Sequence, residues 1–255
     1  MEKQQLQLDN LYQQYLKTIF SDKALVEQME SFGFSSPLLI DMNVKQGMIA
    51  EKKYKLLLVG QQTKGWGSKI KSSDLETDSL DISNYIDHLK QHYINFNFGK
   101  RLDGKTYRGY FWQFQQKLLK RINQSLSDNF GLLWTNIIRL DEKGGKIKDE
   151  RLLKKIAYNN NEILLNEIAI IKPDVVVFAT GYGYDKFLKM TFPDLKIISS
   201  SNEDLLKKEL AMLESENLPK LSFRTYHPKP LYLNCSEVRK PIIDSIIYAI
   251  TKELN

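Results

Sequence analysis

Lys55-Leu56-Leu57-Leu58-Val59-Gly60 decides how the rest of the chain is read. It is short, its apolar side chains would point to both faces, and a glycine follows at once. That is the pattern of a strand buried on both sides, the usual state in a parallel sheet. Gly131-Leu132-Leu133-Trp134-Thr135-Asn136-Ile137-Ile138 and residues 174–180, the latter closed by Gly181, read the same way. Residues 195–199 give a fourth strand, and Leu221-Ser222-Phe223-Arg224-Thr225-Tyr226, ending at His227-Pro228, gives a fifth.

Helical periodicity fills the intervals. Residues 82–93, 110–122 and 150–171 each place apolar residues three or four apart, and Pro173 stops the last. A charged helix is expected over residues 202–216, and residues 236–254 close the chain with Val238, Ile242, Ile243, Ile246, Ile247 and Ile250 as an inner face. Upstream, Leu8, Leu11, Tyr12, Tyr15, Leu16, Ile19, Leu25, Met29 and Phe32 mark one or two amphipathic helices. A break falls near Ser21-Asp22, either of which can cap the second helix, and Gly33 and Pro37 end the helical part. The alternation predicts an α/β protein, a three-layer α/β/α sandwich around a central, mainly parallel sheet of four to five strands. Residues 1–50 are expected as an N-terminal helical extension packed on a main domain of residues 51–255.

Composition narrows the function classes. The chain has 255 residues, 42% hydrophobic and 27% charged, with no apolar run near the ~20 needed to span a bilayer. Its single cysteine, Cys235, excludes an internal disulfide and a cysteine-built zinc cage. No secretory pattern opens the chain, so the cytoplasm is the expected compartment. The 37 basic and 31 acidic residues leave a net charge of +6, which suits a polyanionic partner and is also common among small cytosolic proteins.

In open α/β sheets ligands bind beyond the carboxyl ends of the strands, so the residues there carry the functional argument. They are Gly60-Gln61-Gln62-Thr63-Lys64-Gly65-Trp66-Gly67, Asn136 with Arg139, Gly181-Tyr182-Gly183-Tyr184, and His227-Pro228-Lys229-Pro230-Leu231-Tyr232. The first is not a nucleotide-phosphate loop, because Trp66 stands where the lysine of that motif belongs, and it does not fit the dinucleotide fingerprint.

Together the segments resemble the uracil-DNA glycosylase superfamily. Typical members carry G-Q-D-P-Y-H after the first strand, an asparagine at the end of the second and H-P-S-P-L after the last. Here Gly60-Gln61-Gln62-Thr63-Lys64-Gly65, Leu133-Trp134-Thr135-Asn136 and His227-Pro228-Lys229-Pro230-Leu231 stand in that order, and the third strand ends in Gly181. The resemblance runs from about Lys55 to the C-terminus, and His-Pro-x-Pro-Leu is its most specific element. It implies that Gly60, Gln61 and Gln62 line a base pocket with Gly181. It implies that Asn136 reads the polar edge of a flipped base through its amide. His227 would hydrogen-bond the base oxygen on which charge grows as the glycosidic bond breaks. Residues 228–232 would form a loop that presses on the DNA backbone, with Lys64, Lys229 and Tyr232 as backbone contacts. The target base would have to leave the stack.

Gln62 stands where the typical aspartate orients and polarises water. A carboxamide can orient water but gives no general-base help, worth about 10²–10⁴-fold. Thr63 and Lys64 replace a proline and a tyrosine of the motif, and Trp66, Tyr110 or Phe111 are the candidates for stacking on the base. Other readings stand beside these. Asn136 can cap the turn after its strand, and the lysines, Lys69 included, can be solvated charges. Tyr182 and Tyr184 can line a pocket or pack. Trp66, between two glycines, has little around it to pack and is read as ligand-facing. His88 and His92 have metal-ligand spacing but no third ligand, and are read as an exposed helical face. The leading expectation is a DNA-repair hydrolase of the glycosylase type. The alternatives are a catalytically impaired nucleic-acid- or nucleotide-binding protein of the same fold, and an α/β protein for another small ligand. DNA or another nucleic acid is the expected partner of a monomer, with no membrane, metal or organic cofactor.

Overall fold

The computed structural model describes residues 1–43, 51–71, 82–96, 109–233 and 236–254. Four strands run parallel: β1 (Tyr54–Gln62), β2 (Phe130–Ile138), β3 (Val175–Ala179) and β6 (Leu221–Thr225). β4 (Lys196–Ser199) and β5 (Leu210–Glu214) extend the sheet with antiparallel pairings, giving the order β2-β1-β3-β6-β5-β4. The mainly parallel α/β class holds, with six strands among the described residues rather than four or five. β2, β3 and β6 are buried along their whole length, as strands covered on both faces must be.

The extra strand is a correction. Residues 202–216, expected as a charged helix, form turns followed by β5. Asn202 and Glu209 bind the local backbone at Asp204 and Leu206, which ends any helical ladder there. The helix-forming types Leu210, Ala211 and Leu213 are then buried in pairing with β6 and β4. Tertiary burial overrides local preference.

The helices fall close to their expected places: α3 (Ile82–Phe96), α4 (Tyr110–Ser125), α5 (Glu150–Ile171) and α8 (Ser236–Leu254). Asp149 caps α5 by accepting from the N–H groups of Arg151 and Leu152, and Lys172 ends it in a left-handed conformation before Pro173. A short helix α6 (Asp185–Thr191) follows β3. The segment expected as a DNA-pressing loop is instead a short helix, α7 (Pro228–Leu233). Pro228 at its first position is pre-shaped for this and has no N–H to leave unsatisfied. Cys235 lies outside the described residues, as does the side chain of Tyr232.

The N-terminal part is two helices, α1 (Glu2–Phe20) and α2 (Lys23–Ser31), the second capped by Asp22. α1 lays Leu8, Tyr12, Leu16 and Ile19 against α5 and α3. Residues 33–42, where the sequence reading saw only Gly33 and Pro37 ending the helical part, are buried beside the end of β2. Ser35 and Leu38 donate there to the carbonyls of Asp141 and Arg139. On β2 itself the Tyr93 hydroxyl donates to the carbonyl of Trp134 and accepts from its N–H, satisfying the outer edge of that strand.

Candidate functional site

The four parallel strands end on one side of the sheet, and there the described residues surround a hollow of about 1020 Å³. Its size reaches the upper range of small-molecule sites. Gln61 and Gln62 reach it from the end of β1, Lys64 and Trp66 from the loop beyond, Asn136 from β2, and His227 with Lys229 from beyond β6. Gly60 and Gly181 are not among the lining residues and stand behind it. A Cβ on Gly60 would lie 2.2 Å from Asn136 Oδ1 and 3.0 Å from the Phe111 ring, so the bare backbone there lets both side chains close in. Gly181 donates its N–H to the carbonyl of Thr225 and joins the ends of β3 and β6.

Trp66 corrects an expectation. Its two flanking glycines have positive φ (+65° at Gly65, +60° at Gly67), and these reversals turn the indole inward. It is buried, with ring centroids 5.3 Å from Phe96 and 5.4 Å from Trp134, both edge-on. It therefore both packs and lines the hollow. Trp134 is the centre of this wall, 4.8 Å from Trp112 and stacked on Tyr93. Phe96, Phe111 and Trp112 complete the lining. His92 also reaches the hollow, contrary to its reading as an exposed face, whereas His88 is exposed. Burial, and then the neighbouring His88, push the His92 imidazole below its usual range. Among the described residues no group of three or more His, Cys, Asp or Glu side chains is placed to hold a metal. Tyr184 lines the hollow and Tyr182 is exposed.

His227 is the most perturbed group here. Burial first, then the charges of Lys146 and Lys229, push its imidazole down to about 4. Its Nδ1 accepts from the N–H of Lys229 at 3.3 Å, so the proton of the neutral ring belongs on Nε2. At neutral pH this is an uncharged donor. Gln62 spends its amide nitrogen on the carbonyl of Gly145 at 2.9 Å, and Gln61 spends its own on the carbonyl of Thr180. Among the described residues no aspartate or glutamate lines the hollow.

Arg139, named beside Asn136 from the sequence, is fully buried and paired with Glu167, away from the hollow. The sequence reading missed Phe96, Trp112 and Trp134, and missed the loop after β2, where Gly144, Gly145 and Lys146 line the rim. Two adjacent glycines soon after a buried strand were the available signal. No helix among the described residues is long and apolar enough to cross a membrane. No protein-family model matches the chain, and a search of curated proteins found none similar to it in sequence.

Proposed function

We propose that the hollow receives a base swung out of a nucleic acid and that the chain is a uracil-DNA glycosylase-like protein acting on the N-glycosidic bond. The observation that carries this reading is the meeting of a neutral His227, the Asn136 amide and an aromatic wall in one hollow at the strand ends. Stacking on such a wall is worth about 1–3 kcal/mol per base and tolerates any base. The Asn136 amide offers both a donor and an acceptor to the base edge. As the bond between C1′ and the base nitrogen breaks, its electron pair goes to the base. Nε2–H of His227 then donates to the oxygen on which that charge gathers. Water adds to C1′, oriented through the Gln62 carbonyl oxygen, and its proton passes to solvent.

A second reading has its own support. Gln62, standing where the resemblance places a water-polarising aspartate, fits a protein that grips the base without cutting. Oligodeoxynucleotides containing uracil and other altered bases, treated with alkali after incubation, separate the two. Strand breaks that fall about 10²–10³-fold in His227→Ala support hydrolysis. Salt-sensitive binding without breaks supports the second reading, and no binding at all overturns both.

A further inference from the structure

Three lysines reach the rim from three separate segments: Lys64 after β1, Lys146 after β2 and Lys229 in the first turn of α7. Among the described residues none of the three is ion-paired with a carboxylate. The start of α4 also opens here, since Gly109, Tyr110 and Phe111 line the hollow, and its positive end adds to the same field.

The backbone leading to Lys146 is held in place. The buried carboxylate of Asp141 accepts from the N–H of Gly144 at 2.7 Å and from the N–H of Trp66 at 3.2 Å, clasping the two glycine loops together. Gln62 holds the carbonyl of Gly145 from the other side. Lys143 donates its N–H to the carbonyl of Gly33, fixing the outer limb of the loop. Lys146 and Lys229 line the same hollow as His227, and their charges act on its imidazole from separate segments.

We propose that Lys146 and Lys229 form an anion subsite on the His227 side of the hollow, holding the phosphate of a nucleotide whose base lies on the aromatic wall. This rests on the base-receiving function above and adds to it the place where the phosphate is held, so that a nucleotide binds more tightly than a free base or nucleoside. A phosphate between two ammonium groups gains two charge-assisted contacts.

All three tryptophans of the chain, Trp66, Trp112 and Trp134, line this hollow, so intrinsic fluorescence reports its occupancy. The titration uses deoxyuridine and deoxyadenosine, their 5′-monophosphates, and a short single-stranded oligodeoxynucleotide, at low salt. The expected result is that a monophosphate or the strand binds at least about tenfold more tightly than the matching nucleoside. Lys146→Gln and Lys229→Gln should each remove that advantage and leave nucleoside affinity unchanged. Both lysines are exposed, so the variants should fold. A strand held more tightly than the monophosphate assigns the subsite to a phosphodiester, and equal affinities assign it to the free nucleotide. Equal binding of nucleosides and phosphorylated ligands, or lysine variants that bind like the parent, overturns the subsite alone. No response to any of the five ligands overturns the base-receiving function with it.

Discussion

Asn136 owes its position to a missing atom across the strand. Gly60 is its direct partner in the β1–β2 register, and any side chain there would meet Asn136 Oδ1 and Phe111. Gly60→Ala is expected to displace both, to cost about 1–3 kcal/mol in a denaturant titration, and to weaken oligonucleotide binding about tenfold or more. His227 gives a pH test. Its imidazole holds a proton less well folded, at about 4, than at its ordinary 6.5, so unfolding takes up a proton in between. Its contribution is complete above 6.5, declines as pH falls toward 4, and below that has nothing more to lose. Wild type should therefore lose about 2 kcal/mol more than His227→Gln between neutral pH and pH 4, after discounting for its partial exposure. Denaturant midpoints for the two proteins across that range check this. Asn136 and His227 were legible because each stands at or just beyond the end of a strand that the apolar runs revealed. Lys146 was not, because only the fold brings Gln62 to Gly145 and Asp141 to Gly144.

At the scale of elements, the parallel strands and amphipathic helices followed from periodicity, and the cap of α2 from Asp22, while the cap of α5 was found only in the structure. Asp149 accepts two N–H groups at the head of α5, and Asp149→Ala is expected to cost about 1 kcal/mol, read as a lower thermal midpoint with the binding titration unchanged. β5 was illegible for a physical reason. Its leucines, alanine and methionine favour helix in isolation, and only the neighbouring edges of β6 and β4 make a strand the better burial. The resemblance implies a loop at residues 228–232, where α7 forms with Pro228 and Pro230 at its start. In the first turn of a helix, however, the absent N–H groups cost nothing.

Across the whole molecule, one buried network joins the N-terminal helices to the sheet. Glu167 on α5 pairs with Arg139 just beyond β2 and accepts from the Tyr12 hydroxyl on α1 at 2.6 Å. Tyr12 in turn accepts from the N–H of Ile40, and Arg139 donates to the carbonyl of Leu38. Glu167→Ala would strand a buried guanidinium and is expected to cost about 3–5 kcal/mol in denaturant unfolding. For the same reason a chain starting at residue 51 should be recovered insoluble or without a cooperative transition. Nothing in the sequence tied Tyr12 to Glu167, since such contacts exist only once the layers are stacked. The sheet also ends unequally: Tyr93 and the buried segment 33–42 seal the β2 side, while β4 is the outermost strand at the other. β4 is four residues long and largely exposed, with Lys196 set opposite Glu214. That charge guards a rim of the sheet, open among the described residues, where another chain could add its own backbone, so a Lys196→Val molecule, with an uninterrupted Val-Ile-Ile run, should begin to form fibres at concentrations the parent tolerates.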